Sequence, residues 1–146
     1  MSLDVVLLEP IEERLKEWET KKEKSLKEAE GLKGLIPLIE TYYSERKPDE
    51  SKELFSYNIT HNLNSMAEEA GIYKHLWRPE ELGITKAVDL ILPLTEGLKR
   101  LIDNPEHYKT FTPENKWGSY EGLVAFVNEY RDACIEFPTA TIYVSR

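Results

Sequence analysis

Tyr57-Asn58-Ile59-Thr60-His61-Asn62-Leu63, with Asn64-Ser65-Met66 directly behind, holds more side chains able to bind, orient or move a proton than any other stretch. His61 is the member that can change charge near neutral pH, which makes it the candidate acid–base residue. Asn58, Thr60 and Asn62 place neutral donors and acceptors beside it, as a pocket for a small polar or nucleotide-like ligand requires. Further along, Trp77-Arg78 can stack on a ring and clamp a phosphate or carboxylate. Asn115 and Trp117 add an amide and an aromatic face. The same residue types also build ordinary corners. A Thr or Asn oxygen caps the unpaired N–H groups that open a helix, and polar turn residues satisfy one another. Pocket and structural corner are therefore both open readings of this stretch.

Other chemistries find little support. The three histidines, at 61, 75 and 107, are scattered, and His75 and His107 are expected in exposed polar turns, so no shared metal follows. Ser65, His61 and Glu68 could share a helix face, but without a strained nucleophile turn or oxyanion donors they do not make a triad. Glu68-Glu69 and Glu80-Glu81 read as solvated acids rather than a glycosidase pair. There is no phosphate-cradling glycine loop, no Gly-x-Ser-x-Gly and no His-Glu-x-x-His. The single Cys134 excludes an internal disulfide and a thiolate zinc cluster. Its place on an apolar helical stripe predicts a buried, inert thiol. No cofactor is expected.

The elements that must position these residues are read from periodicity. Residues 3–8 predict a short strand that Pro10 stops. Residues 11–30 predict a long, charge-laced helix with the i, i+4 pairs Glu12–Lys16, Glu17–Lys21 and Glu23–Lys27, its thin apolar stripe interrupted at Lys22. Gly31 and Gly34 break it, and a second helix follows with Pro37 in its first turn. Lys47-Pro48-Asp49-Glu50-Ser51 is a loop, and residues 53–57 a second strand that delivers the chain to the central stretch. Leu63, Met66, Ala67 and Ala70 then follow helical spacing up to Gly71. Pro79 opens a short turn that Gly83 ends, and Thr85 is placed to cap the next helix. That helix shows the clearest stripe in the chain, Ala87, Leu90, Ile91, Leu94, Leu98, Leu101 and Ile102, with Pro93 inside it. A last helix from Ser119 buries Tyr120, Leu123, Val124, Val127, Tyr130 and Cys134, and residues 139–145 alternate as a closing strand. The expected fold is α+β and predominantly helical: four to five helices on a small antiparallel sheet of two to three short strands. One domain spans 1–146, with residues 10–52 a helical insertion between the first two strands.

Composition narrows the function class. The hydrophobic fraction of 40% is too high for disorder, and no apolar run approaches the ~20 residues of a membrane span. With no charged-then-apolar leader, a soluble cytoplasmic protein is expected. A net charge of −8 counts against nucleic acid and anionic membranes as partners.

The segments Asn58-Ile-Thr-His-Asn-Leu, Met66-Ala, Ala70-Gly-Ile-Tyr and Leu76-Trp-Arg-Pro-Glu-Glu, with Pro113-Glu-Asn-Lys-Trp-Gly, Tyr120-Glu-Gly, Ala133-Cys and the terminal Val144-Ser-Arg, resemble a group of small uncharacterised proteins from bacterial and phage genomes. The resemblance runs from about Phe55 to Arg146. It implies that Asn58, Thr60, His61, Asn62, Trp77, Arg78, Asn115 and Trp117 belong to marker segments, and it carries no assigned activity. Relatives carry a short hairpin loop in place of residues 10–52, some with metal-binding cysteines that this chain lacks. Lys116 stands where the resemblance leads one to expect glycine. The reading drawn from all this is a small non-catalytic binding module of bacteria or their mobile elements, which meets a protein partner or a second copy through residues 11–30, or makes its contact through the Asn58–Asn62 corner with Trp77-Arg78 and Trp117. The alternative is a small enzyme or receptor that uses His61 as acid–base and Arg78 as anion clamp.

Overall fold

The computed structural model describes residues 1–49 and 52–146, so the predicted loop at 47–51 lies partly outside the described residues. The chain divides into two compact units, residues 1–9 with 53–146, and residues 10–52.

The first unit is built on three antiparallel strands, β1 (Ser2–Leu8), β2 (Glu53–Thr60) and β3 (Thr141–Ser145), in the order β2-β1-β3. Strand alternation places Leu3, Val5 and Leu7 on one face, all fully buried, and leaves Asp4 exposed on the other. The register sets Val5 against Tyr57 and Val144, and Asp4 against Asn58 and Ser145. The central stretch is therefore strand through Thr60, three residues further than the periodicity predicts. Cross-strand pairing outweighs the local polar composition there.

Two long helices supply the core, α5 (Val88–Asp103) and α7 (Tyr120–Glu136), which pack against each other, α7 also against β2. Three single-turn or two-turn pieces complete the unit: α3 (Asn64–Glu69), α4 (Tyr73–Trp77) and α6 (Pro105–Lys109). The architecture is the predominantly helical α+β class. Phe126, absent from the stripe predicted for α7, is fully buried because that helix meets both α5 and the aromatic rings of β2. Phe55 stacks on Tyr130 at 5.8 Å between ring centroids, and Tyr57 lies 4.9 Å from Phe126. Burial, followed by the nearby Glu129 carboxylate, raises the Tyr57 phenol above its ordinary value.

Thr85 does not cap α5. Its carbonyl accepts from Ile142 N–H as residues 85–86 run beside β3, while Ala87 and Val88 N–H donate to Ala140 and Pro138 carbonyls. Carbonyls of the link between α7 and β3 thus satisfy donors at the start of the helix that a cap was expected to meet.

The second unit is a helical hairpin of α1 (Glu12–Glu28) and α2 (Ile36–Glu45), with Pro37 in the first turn of α2 and Gly31 left-handed at φ +86° between them. The Trp18 indole donates to Tyr43 O at 2.8 Å, and the Ser25 and Tyr43 hydroxyls meet at 3.1 Å. Lys22, which interrupts the apolar stripe of α1, holds its ammonium 5.3 Å from the Trp18 ring centre, so its stem continues the seam while its charge stays wet. Neither helix contains a fully buried residue.

Candidate functional site

The chain turns from β2 into α3 through a 3-10 turn at His61–Leu63. Thr60 opens it: its Oγ1 accepts from the backbone N–H of Asn62 at 3.3 Å and from Asn62 Nδ2 at 3.2 Å. Because this turn precedes α3, His61 and Ser65 are not neighbours on one helix. Ser65 Oγ donates instead to Asn64 Oδ1 at 3.4 Å, so the Ser–His–Glu face has no geometric basis.

His61 is half-buried, and its partner is Trp77. The indole Nε1–H, on a residue only 2% exposed, donates to His61 Nδ1 at 2.8 Å. Trp offers only a donor, so Nδ1 must accept and the neutral ring carries its proton on Nε2. Nε2 is consequently a donor toward its surroundings, and neither nitrogen is free to act as a base in this arrangement. The Trp77 ring also packs on Tyr73, 5.4 Å between centroids.

Around this pair the polar groups close on one another. Arg78 Nε donates to Tyr73 Oη at 3.5 Å and its Nη1 to Glu81 at 3.2 Å, contacts that raise the Arg78 pKa further and commit the proposed clamp within the corner. Arg146 Nη1 donates to the Trp77 carbonyl at 2.8 Å and to Glu80 Oε1 at 2.6 Å. A hydrogen bond from its own backbone, then Arg146, hold the Glu80 carboxyl below its ordinary value. Tyr73, Glu80 and Arg146 are members of the corner that sequence reasoning did not place there; for Arg146 and Glu80, contacts across 66 and 69 positions leave no periodic trace.

The remaining candidates separate. Asn58 projects from the exposed face of the sheet, where its Nδ2 donates to Asp4 Oδ1 at 2.7 Å and Ser2 Oγ at 2.9 Å. The strand alternation that buries Ile59 turns Asn58 away from the helices. Asn115 Oδ1 accepts from the backbone N–H of Trp117 at 3.0 Å, an Asx turn. Lys116 within it is left-handed at φ 59°, a conformation that suits the glycine expected there. Gly118, φ +104°, seats this loop against the corner. A Cβ at Gly118 would lie 2.8 Å from both Thr60 Cγ2 and Leu63 Cγ. Trp117 itself is 67% exposed. The structure thus unites Thr60, His61, Asn62, Trp77 and Arg78, brings the 115–118 loop beside them, and leaves Asn58 on the other face.

Of the two histidines expected in exposed turns, His107 is exposed and His75 is not. His75 lies in α4, half-buried, with an Nδ1 that makes no hydrogen bond within the chain. Burial, then the Arg100 guanidinium, lower its pKa. His107, exposed on α6, meets Glu69 of α3 at 2.9 Å. Among the described residues no three His, Cys, Asp or Glu side chains converge as a metal site. Cys134 is fully buried in α7, and burial pushes its thiol up to about 12, which leaves almost no thiolate at neutral pH. No described helix is long and apolar enough to cross a membrane. Comparison of the chain with protein-family models, with curated proteins and with solved structures finds no match.

Proposed function

We propose that the protein is a non-catalytic interaction module, an accessory protein of bacteria or their mobile elements, whose contact surface is the α1–α2 hairpin. The observation that carries this reading is the apolar side of α2. Ile36, Ile39 and Tyr43 are half-buried in the hairpin, yet the adjacent stripe of Leu35, Leu38 and Tyr42, with Leu32 ahead of it, stays exposed, Leu38 by 65%. That i, i+3, i+7 spacing is one helix face, wider than α1 covers. Contiguous exposed apolar side chains of this size mark contact sites more often than chance surface. The resemblance to uncharacterised bacterial and phage proteins supports the setting and adds no activity.

The corner at His61 supports the alternative of an enzyme or receptor less well. Its imidazole accepts from the Trp77 indole and its guanidinium groups pair with Glu81 and Glu80, while Trp117 beside them stays open to a ligand.

A photo-cross-linking amino acid placed at Leu38, and separately at Tyr143 on β3, tests the assignment in the native host. Both positions are exposed. Adducts are expected from Leu38 and not from Tyr143. Equal labelling from both, or labelling from Tyr143 alone, would remove the hairpin as the contact surface.

A further inference from the structure

Charge is divided unevenly along this acidic chain. The ten Lys and Arg of residues 10–52 nearly balance their eleven Asp and Glu, whereas the rest of the chain carries nine against sixteen. Within the hairpin several of the cations stand near three aromatic rings. A shallow groove between α1 and α2 is lined by the rings of Trp18, Tyr42 and Tyr43 and by Arg14, Lys21 and Arg46. Among the described residues Glu17 is the acid in its lining, and Lys21 pairs with it at 2.9 Å; Arg46 reaches Glu45 at 3.9 Å and donates to the Tyr42 carbonyl at 3.1 Å. Further cations rest on the same rings. The Arg46 guanidinium sits 3.8 Å from the Tyr42 ring centre, and Lys47 joins Lys22 over Trp18 at 5.7 Å.

Cations held on aromatic faces lose part of their rotamer freedom before any ligand arrives, which lowers the ordering cost of binding an anion. Trp, Tyr and Arg are also the residue types that dominate binding energy at protein interfaces. Tyr42 belongs both to this groove and to the exposed Leu35–Leu38–Tyr42 stripe, so cationic and apolar surfaces adjoin. We infer that the groove docks a short acidic amphipathic segment of a partner protein, its carboxylates on Arg46, Lys47 and Lys21 and its apolar side chains on Leu38 and Tyr42. This inference rests on the hairpin being the contact surface. A long polyanion suits the groove less well, since beyond the groove it meets a chain whose net charge is −8. A second copy paired groove to groove would bring like charges together, and one docking its acidic remainder there is distinguished by the oligomeric state.

The experiment titrates the full chain into a fluorescein-labelled synthetic helical peptide bearing Glu on one face and Leu on the next, read by anisotropy at low and high salt. A Lys-for-Glu peptide, a Ser-for-Leu peptide and labelled oligothymidylate are run beside it. The Glu/Leu peptide alone is expected to bind, with affinity that falls as salt rises. Arg46→Glu and Lys47→Glu, both at exposed positions and each checked for native circular dichroism, are each expected to weaken it at least tenfold. No binding of the Glu/Leu peptide overturns the inference, as does affinity unchanged in both variants or tighter binding of oligothymidylate. So does a concentration-dependent dimer, seen by sedimentation, that Arg46→Glu dissolves. If the peptide fails while Leu38 still cross-links a partner, the acidic occupant is wrong and the contact surface stands. If both fail, the hairpin is not the contact surface.

Discussion

His61→Ala separates a structural corner from a poised site. The substitution removes the acceptor of the Trp77 indole N–H, on a residue 2% exposed, and no other acceptor among the described residues is bonded to it. A buried donor left unmet costs about 1–3 kcal/mol. The lost ring packing between His61 and Trp77, 6.3 Å between centroids, adds about 0.5–1 kcal/mol. The sum, about 1.5–4 kcal/mol, lowers the thermal midpoint of a domain this size by roughly 3–16 °C. His61→Asn is the control, because an amide oxygen falls near the position of Nδ1 and can accept the same proton. It should recover at least half of the loss. Thermal unfolding by circular dichroism gives the midpoints, and hydrogen exchange of the Trp77 indole N–H reports the bond directly, protected in the native protein and in His61→Asn and exposed in His61→Ala. A midpoint for His61→Ala within about 1 °C of the native value, with the indole still protected, would refute the corner as the reason for this histidine.

Two further predictions follow from backbone geometry. Gly97 of α5 is buried, and a Cβ there would fall inside van der Waals contact of Ile72 Cγ2 and 3.1 Å from its Cδ1, on a side chain that is itself fully buried. Gly97→Ala should therefore destabilise by about 1–2 kcal/mol, overpacking outweighing a helix-propensity gain of about 1 kcal/mol. Urea unfolding checks it, and a stabilised variant would show that Ile72 has room to move. Lys116→Gly should raise stability by up to about 1 kcal/mol, since φ 59° strains a side-chain-bearing residue by about 1–2 kcal/mol and glycine returns part of that gain as unfolded-state freedom. A lowered thermal midpoint would mean that the Lys116 side chain contributes more than its backbone costs.

What could be read from sequence was what repeats locally. The β-branched and aliphatic run in 3–8, stopped by Pro10, marks β1, and alternation in 139–145 marks β3. The Leu90–Leu94–Leu98–Leu101 spacing marks α5 because one arc of that helix is buried. The Thr60 cap and the left-handed Gly71 and Gly83 were legible for the same reason, being decided within four residues. Pairings across the chain were not. Trp77 and His61 are sixteen positions apart, and a donor–acceptor pair has no period to betray it. Arg146 reaching the Trp77 carbonyl is more distant still. Asn58 failed as a pocket residue through register alone. A single residue of slip would have turned it inward, and only pairing with Asp4 fixes which face it takes.

The same register bears on where function resides. Leu8 pairs with Glu53, so β1 and β2 are already adjacent strands of an antiparallel pair where residues 10–52 leave and return. A tight turn of two to five residues ordinarily closes such a pair. The hairpin is therefore not needed to join the strands, and ordering it costs backbone entropy of about 1–2 kcal/mol per residue that two helices without a fully buried residue offset poorly by themselves. Its largest unburied assets are the Leu35–Leu38–Tyr42 face and the cation-bearing rings of Trp18 and Tyr42. The His61 corner stands in the opposite position: its half-buried and exposed polar groups already have partners around the buried Trp77 ring. A segment dispensable for closing the sheet but rich in uncovered contact surface is where binding is best sought.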